Sequence, residues 1–146
     1  ARLMENIFTI LIADKNRNVR EFLKREFSVA GFKIKLAKDG IELIDIINLE
    51  PPPDLLICDL EMPFSNGLET LEELQNLRPQ LPVIIYTFLT EHAGHEAITK
   101  VAAFLEKTGN DVENLKKAVA EALKRHYPER CCDKAASSGS AITEPA

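Results

Sequence analysis

The chain has 146 residues, a length typical of a single domain that buries its own hydrophobic core. Hydrophobic residues make up 45% of the sequence and charged residues 28%, which excludes a chain that is disordered throughout. Because 18 basic residues stand against 23 acidic ones, the net charge of −5 argues against direct nucleic-acid binding. No run of about 18 apolar residues is present, so we expect no membrane span.

The three cysteines also bear on where the protein works. Cys58 lies inside an apolar run, and Cys131 and Cys132 are adjacent near the end. An odd number with this spacing is not a disulfide framework, so we expect a cytoplasmic protein. The first apolar run also lacks the length and cleavage site of a signal peptide.

The first predicted elements alternate between strand and helix. Ile7–Ala13 is an almost continuous apolar run, typical of a strand buried in a parallel sheet. Asn18–Ala30 repeats apolar residues with helical spacing, and Gly31 follows as a stop signal. Lys33–Ala37 alternates lysine with apolar residues, which suits an edge strand. Asp39 then provides an N-cap for a second helix.

The same alternation continues through the middle of the chain. Leu55–Cys58 and Val83–Thr87 are apolar runs that predict buried strands. Between them, Gly67–Leu77 has leucine at threefold spacing and is followed by Pro79, which predicts a third helix.

The last predicted elements are a weak helix, a strand and a strong helix. Glu91–Val101 predicts a polar helix, and Ala102–Leu105 predicts the fifth strand. Asn110–Glu113 fits a capping box ahead of a final amphipathic helix that reaches His126.

Strict alternation of five strands and five helices indicates an α/β fold with right-handed crossovers and a doubly wound five-stranded parallel sheet. After Tyr127-Pro128 the composition becomes small and polar, without hydrophobic periodicity. We therefore predict one domain over residues 6–126 and a C-terminal tail or linker stub over residues 127–146.

Polar residues follow four of the predicted strands. Asp14 and Lys15 follow the first strand and Asp59 follows the third, while Thr87 ends the fourth and Lys107 comes just after the fifth. Any one of them is ordinarily a helix cap or turn residue. Because such strand ends meet at one edge of the sheet, together they match the needs of a carboxylate phosphoacceptor. These needs are a nucleophilic aspartate, further carboxylate for Mg²⁺, and a hydroxyl and an ammonium for phosphoryl oxygens.

Four segments resemble the receiver domains of two-component response regulators: ILIAD, LLICDLEMPFSNGLE, PVIIYT and AAFLEK. The resemblance covers residues 6–126, and its most specific part is Asp59-Leu60-Glu61-Met62-Pro63 with Gly67. It implies the flavodoxin-like receiver fold, with strand order 2-1-3-4-5, and a phosphorylation switch.

The resemblance also implies roles for single residues. Asp59 would be the phosphoacceptor, assisted by the Thr87 hydroxyl and the Lys107 ammonium. Thr87 and Phe104 would form the conformational switch. At most, the protein would catalyse its own phosphorylation and slow dephosphorylation.

Mg²⁺ is the implied cofactor, with Asp14, Asp59 and the backbone carbonyl of Glu61 as ligands. Lys15 departs from the family pattern, because a second acid normally occupies its position. We therefore expect Lys15 to weaken Mg²⁺ binding. Two further departures are Phe88, where a small residue is usual, and Thr108, where a cis-proline is usual. The peptide bond before Thr108 would be either trans or strained.

The implied partners are a sensor histidine kinase or phosphotransfer protein. A homodimer or a downstream effector would use helix 4, strand 5 and helix 5. One alternative is a pseudo-receiver, an interaction module without phosphorylation, in which Lys15 pairs with Asp59. A flavodoxin-like enzyme is a third possibility, disfavoured because the Asp14–Asn18 loop lacks a Ser/Thr/Gly-rich phosphate cradle.

Overall fold

The computed structural model describes residues 7–61, 67–88, 95–107 and 112–130, with only the backbone for residues 67 and 68. The strands are β1 (Thr9–Ala13), β2 (Lys33–Ala37), β3 (Leu55–Cys58), β4 (Val83–Thr87) and β5 (Ala103–Glu106). The helices are α1 (Arg17–Val29), α2 (Gly40–Ile47), α3 (Gly67–Leu77), α4 (Glu96–Thr99) and α5 (Val112–His126). All strands pair in parallel in the order β2-β1-β3-β4-β5. This confirms the predicted fold class and strand order.

The sheet separates two hydrophobic cores because successive side chains of a strand point to opposite faces. In β1, Leu11 and Ala13 join a core with side chains of α2, α3 and α4. Ile10 and Ile12 join a second core with side chains of α1 and α5. The central strands are therefore apolar at most positions.

Local signals fix both ends of α1 and the start of α2. The Asn16 side chain caps α1 by accepting hydrogen bonds from two backbone N–H groups. Gly31 has a φ of 102°, so it takes the left-handed conformation that follows the helix. The Asp39 side chain accepts a hydrogen bond from the Glu42 N–H at 2.8 Å, which confirms the predicted cap of α2.

Several boundaries differ from the prediction. β1 begins at Thr9, two residues later than predicted, and β5 lies one residue later because Ala103 pairs with Ile84. Within the described part of the predicted fourth helix, α4 covers only Glu96–Thr99. His95, which the prediction placed inside that helix, is its N-cap. Asn110 and Asp111, the first two residues of the predicted capping box, and the two C-terminal cysteines lie outside the described residues.

Two residues that the sequence assigned to the tail, Tyr127 and Arg130, contact the rest of the described chain. The Tyr127 hydroxyl donates to the Asp54 carbonyl at 2.7 Å, and the Arg130 guanidinium bonds the Asp54 carboxylate at 2.9 Å. Arg130 also donates to the Ile7 carbonyl at 3.0 Å and lies 4.0 Å from the centre of the Phe8 ring. These contacts place the described end of the chain beside the start of β1.

None of the helices in the described part of the chain is both long enough and apolar enough to cross a membrane.

Candidate functional site

Four polar side chains meet at the carboxyl-end edge of the sheet. Asp14 follows β1, Asp59 follows β3, Thr87 ends β4 and Lys107 follows β5. The parallel ladder continues just beyond the strands, because the Asp59 N–H donates to the Ala13 carbonyl at 3.0 Å. The Lys107 N–H likewise donates to the Thr87 carbonyl at 2.8 Å. The backbone therefore brings together the residues that the sequence predicted at this edge.

Asp59 is at the centre of the hydrogen-bond network. Its Oδ1 accepts from the Thr87 hydroxyl at 2.6 Å and from the Glu61 backbone N–H at 2.9 Å. Its Oδ2 accepts from Lys107 Nζ at 2.6 Å. The same ammonium donates to Asp14 Oδ2, also at 2.6 Å. One hydroxyl and one ammonium thus already contact the predicted phosphoacceptor.

The site is buried and its charges do not balance. Exposed fractions are 2% for Asp14, 1% for Asp59, 0% for Thr87 and 7% for Lys107. Two carboxylates therefore share one ammonium, which leaves a formal charge of −1 where burial makes charge costly. Such a surplus favours a cation or a group that neutralises one carboxylate.

Burial and pairing shift two pKa values in the site. Burial raises the pKa of the Asp14 carboxyl, and hydrogen bonds from Lys107 and the Asn16 N–H offset this only in part. Burial alone would lower the pKa of Lys107, but its hydrogen bonds to Asp14 and Asp59 outweigh burial and raise it. Lys107 therefore remains an ammonium throughout the neutral range.

Cys58 is next to the site but does not provide a reactive thiol. Its Sγ–H donates to the Asp59 carbonyl at 3.3 Å. Complete burial, and then the nearby negative charge of Asp59, raise the pKa of Cys58 to about 12. Since the thiolate is the nucleophilic form, this cysteine is unreactive at neutral pH.

Lys15 contacts a different carboxylate from the one in the pseudo-receiver hypothesis. Its Nζ lies 3.5 Å from Glu61 Oε2, with half of the Lys15 side chain exposed. Asp59 is paired with Lys107 instead. The Lys15–Asp59 ion pair that the pseudo-receiver alternative invoked is therefore not present: Lys107 pairs with Asp59, and the half-exposed Lys15 pairs with Glu61.

The donor set fits Mg²⁺. Asp14 and Asp59 supply two carboxylates at one edge, and Mg²⁺ is commonly held by one or two carboxylates plus water and phosphate oxygens. Among the described residues, no group of three or more His, Cys, Asp or Glu side chains forms a fuller cage.

Comparison with known proteins identifies the family. The model of the response regulator receiver domain matches residues 10–120, which is most of the chain. The chain belongs to the response regulator receiver domain family. Its place in two-component systems follows from that membership.

Relatives and solved structures agree with the family. The chain is 30% identical over 141 residues to response regulator MprA of Mycobacterium avium, covering 92% of this chain and 59% of that protein. The chain thus spans less than two thirds of the length of this relative. Response regulator TrrA of Thermotoga maritima, solved in complex with Mg²⁺-BeF, is 28% identical with a TM-score of 0.74, covering 80% of this chain and 100% of that one.

A second solved structure concerns a kinase complex. It contains histidine kinase ThkA together with response regulator TrrA. The match is 28% identical with a TM-score of 0.72 and covers 80% of this chain and 99% of that one.

Two of the aromatic residues near the site of this receiver domain, Phe88 and Phe104, have different surroundings. Phe104 in β5 is partly buried and packs against the core that contains Ala97 and Ile98 of α4. Phe88 is exposed, yet its ring centre lies 5.2 Å from Lys107 Nζ. The sequence prediction noted Phe88 only as a departure from the family pattern and missed this contact. Thr108 lies outside the described residues.

Proposed function

We propose that this receiver domain is a switch in which Asp59 accepts a phosphoryl group from a phosphohistidine of a sensor histidine kinase or phosphotransfer protein. The observation that carries the proposal is the buried contact of Asp59 with the Thr87 hydroxyl and the Lys107 ammonium, each at 2.6 Å. A carboxylate nucleophile and two donors for phosphoryl oxygens are the groups that this transfer needs.

In the proposed step, a carboxylate oxygen of Asp59 forms a bond to phosphorus while the bond between phosphorus and the imidazole nitrogen breaks. The electron pair of the broken bond stays on the imidazole, which takes up a proton. The product is an acyl phosphate on Asp59. Because Thr87 and Lys107 already donate to this carboxylate, their donors need only turn to the phosphoryl oxygens.

Asp14, Asp59 and the backbone carbonyl of Glu61 would hold Mg²⁺. When bound, the ion supplies positive charge that offsets the phosphoryl oxygens and the surplus carboxylate. Lys15, paired with Glu61 at 3.5 Å, would oppose the ion by adding positive charge at the rim.

The output of the switch would use the surface formed by α4, β5 and α5. A new bond from Thr87 to the phosphoryl group would move this side chain, and Phe104 in the neighbouring strand would repack. Phe104 contacts the core beneath α4, so its movement would change that surface. A second copy of the chain or an effector protein would bind there.

Intact-mass spectrometry tests the proposal. After incubation with acetyl phosphate and Mg²⁺, the wild-type protein should gain the mass of one phosphoryl group. Asp59→Asn should gain none, whereas the matched control Asp45→Asn, at an exposed aspartate of α2, should be labelled like the wild type.

Two results would contradict the proposal. Labelling that persists in Asp59→Asn would overturn the assignment of the acceptor. A wild-type protein that acquires no label from acetyl phosphate or from a phosphorylated histidine kinase would favour the pseudo-receiver alternative.

A further inference from the structure

The ammonium of Lys107 lies close to two aromatic rings as well as two carboxylates. Of its three N–H donors, two meet Asp14 and Asp59 at 2.6 Å. The ring centre of Tyr86 lies 5.8 Å from Nζ, and that of Phe88 lies 5.2 Å from it. Both distances are within the range in which a cation is attracted to the face of a ring.

Phe88 differs from Tyr86 in its burial. Tyr86 is part of the core beneath the sheet, whereas the Phe88 side chain is 64% exposed. A single exposed phenylalanine is ordinary and needs no explanation. Here, however, the exposed ring contacts a lysine that is only 7% exposed. Phe88 therefore lies at the rim of the site, against its cation.

The attraction between ring and ammonium does not depend on the state of Asp59. The ion pair between Lys107 and Asp59 does depend on it, because a phosphoryl group on Asp59 replaces the carboxylate charge with phosphoryl oxygens. The four-carbon stem of lysine is flexible, and during this exchange its ammonium keeps two other restraints, the hydrogen bond to Asp14 at 2.6 Å and the Phe88 ring. The Phe88 ring is in contact with that ammonium before the phosphoryl group arrives.

We propose that Phe88 is a positioning residue for Lys107, whose ammonium it holds beside Asp59 before and after phosphoryl transfer. This inference rests on the proposed role of Asp59 as acceptor. In this proposal Phe88 acts only through Lys107.

Replacing the ring without opening the site provides the test. Phe88→Leu keeps an apolar side chain of similar size but removes the aromatic face, and Phe88→Tyr keeps the face. In NMR spectra of the unphosphorylated protein, the Lys107 Hε signals should move toward the positions of an ordinary lysine in Phe88→Leu. They should stay near their wild-type positions in Phe88→Tyr. With acetyl phosphate and Mg²⁺, Phe88→Leu should be phosphorylated about threefold to fivefold more slowly, and Phe88→Tyr at close to the wild-type rate.

Unchanged Lys107 Hε signals in Phe88→Leu would overturn the inference. So would phosphorylation of Phe88→Leu as fast as that of the wild type, since the ring would then be only a steric feature of the rim. The NMR measurement uses the unphosphorylated protein. It therefore tests the contact between Phe88 and Lys107 even if Asp59 proves not to be the acceptor.

Discussion

Aspartate forms an ion pair with a basic side chain at each edge of the sheet, but the paired charges are equal in number at only one of the two edges. At the carboxyl-end edge, Asp14 and Asp59 share Lys107, and all three are almost completely buried. At the amino-end edge, Asp54 pairs with Arg130, and both remain partly exposed. The cluster of Asp14, Asp59 and Lys107 carries a formal surplus of one negative charge, and the pair of Asp54 and Arg130 carries none.

At the amino-end edge, Asp54 forms hydrogen bonds through its backbone as well as its carboxylate. Asp54 Oδ2 accepts from the Thr9 N–H at 2.8 Å while Oδ1 accepts from Arg130. The Asp54 carbonyl accepts from the Tyr127 hydroxyl, and the Asp54 N–H donates to the Thr9 carbonyl at 2.8 Å. Matched polar groups of this kind stabilise a fold. An unmatched buried negative charge costs stability and gives affinity for a cation, as expected of a functional site.

The largest effect should come from Lys107→Met. This change removes the ammonium that the two buried carboxylates share, and breaking a buried ion pair typically costs about 3 kcal/mol of unfolding free energy. Urea unfolding measures the loss, and added Mg²⁺ should restore part of it. A loss below about 1 kcal/mol would mean that the two carboxylates do not depend on Lys107.

The same variant gives a pH test. The pKa of Lys107 is raised above its ordinary value of 10.5 in the folded protein. The stability from its pairing is therefore fully present below that pH and is lost as pH rises through the raised value. From neutral pH upward, the difference in unfolding free energy between wild type and Lys107→Met should shrink only above pH 10.5. Shrinkage that is complete between neutral pH and pH 10.5 would contradict the direction of the shift.

Asp54→Ala should cost about 2 kcal/mol of unfolding free energy, because the Thr9 N–H loses its acceptor and Arg130 loses its partner. Stabilisation by Mg²⁺ should nevertheless equal that of the wild type. Urea titrations with and without Mg²⁺ check both statements. A variant that lost its response to Mg²⁺ would show that the two edges are not independent.

Asp14→Asn should remove the response to Mg²⁺ instead. A ligand at ten times its dissociation constant adds about 1.4 kcal/mol to the unfolding free energy when it binds only the folded state. At such a concentration the wild type and Asp54→Ala should gain this amount, and Asp14→Asn should gain almost nothing. Equal gains in all three proteins would exclude Asp14 as a ligand.

The residues at the carboxyl-end edge could largely be predicted from the sequence. Asp14, Asp59 and Thr87 could be placed at one edge because each lies at the end of a locally predicted strand, and parallel strands align their ends. The same reasoning placed Lys107 there, although it did not specify which carboxylates the ammonium would bind.

Contacts that depend on long-range packing could not be predicted in this way. Arg130 and Asp54 are 76 residues apart, and the composition after Tyr127 resembled a tail. The partner of Lys15 depends on which ammonium lies within reach of Asp59 in the folded chain, and a sequence pattern does not contain that distance. The contact of Phe88 with Lys107 likewise depends on the folded positions of the two side chains.

The smallest effect should come from Lys15→Asp, which should tighten Mg²⁺ binding about fivefold, equivalent to roughly 1 kcal/mol. The effect is limited because Lys15 is half exposed and already paired with Glu61. Lys33→Asp makes the same charge change at the start of β2, the other end of the sheet, and should leave the affinity unchanged. Equal Mg²⁺ affinities for wild type and Lys15→Asp would mean that Lys15 does not influence the ion.

Amide NMR shifts with and without beryllofluoride and Mg²⁺ test most directly the claim that the unbalanced edge is the switch and the balanced edge is structural. Beryllofluoride mimics a phosphoryl group on a carboxylate. We expect large shift changes at Asp59, Thr87 and Lys107 that extend through Phe104 to α4 and α5, with none at Asp54 or Arg130. Shifts confined to α1 and α2, or changes at the amino-end edge as large as those around Asp59, would contradict the account.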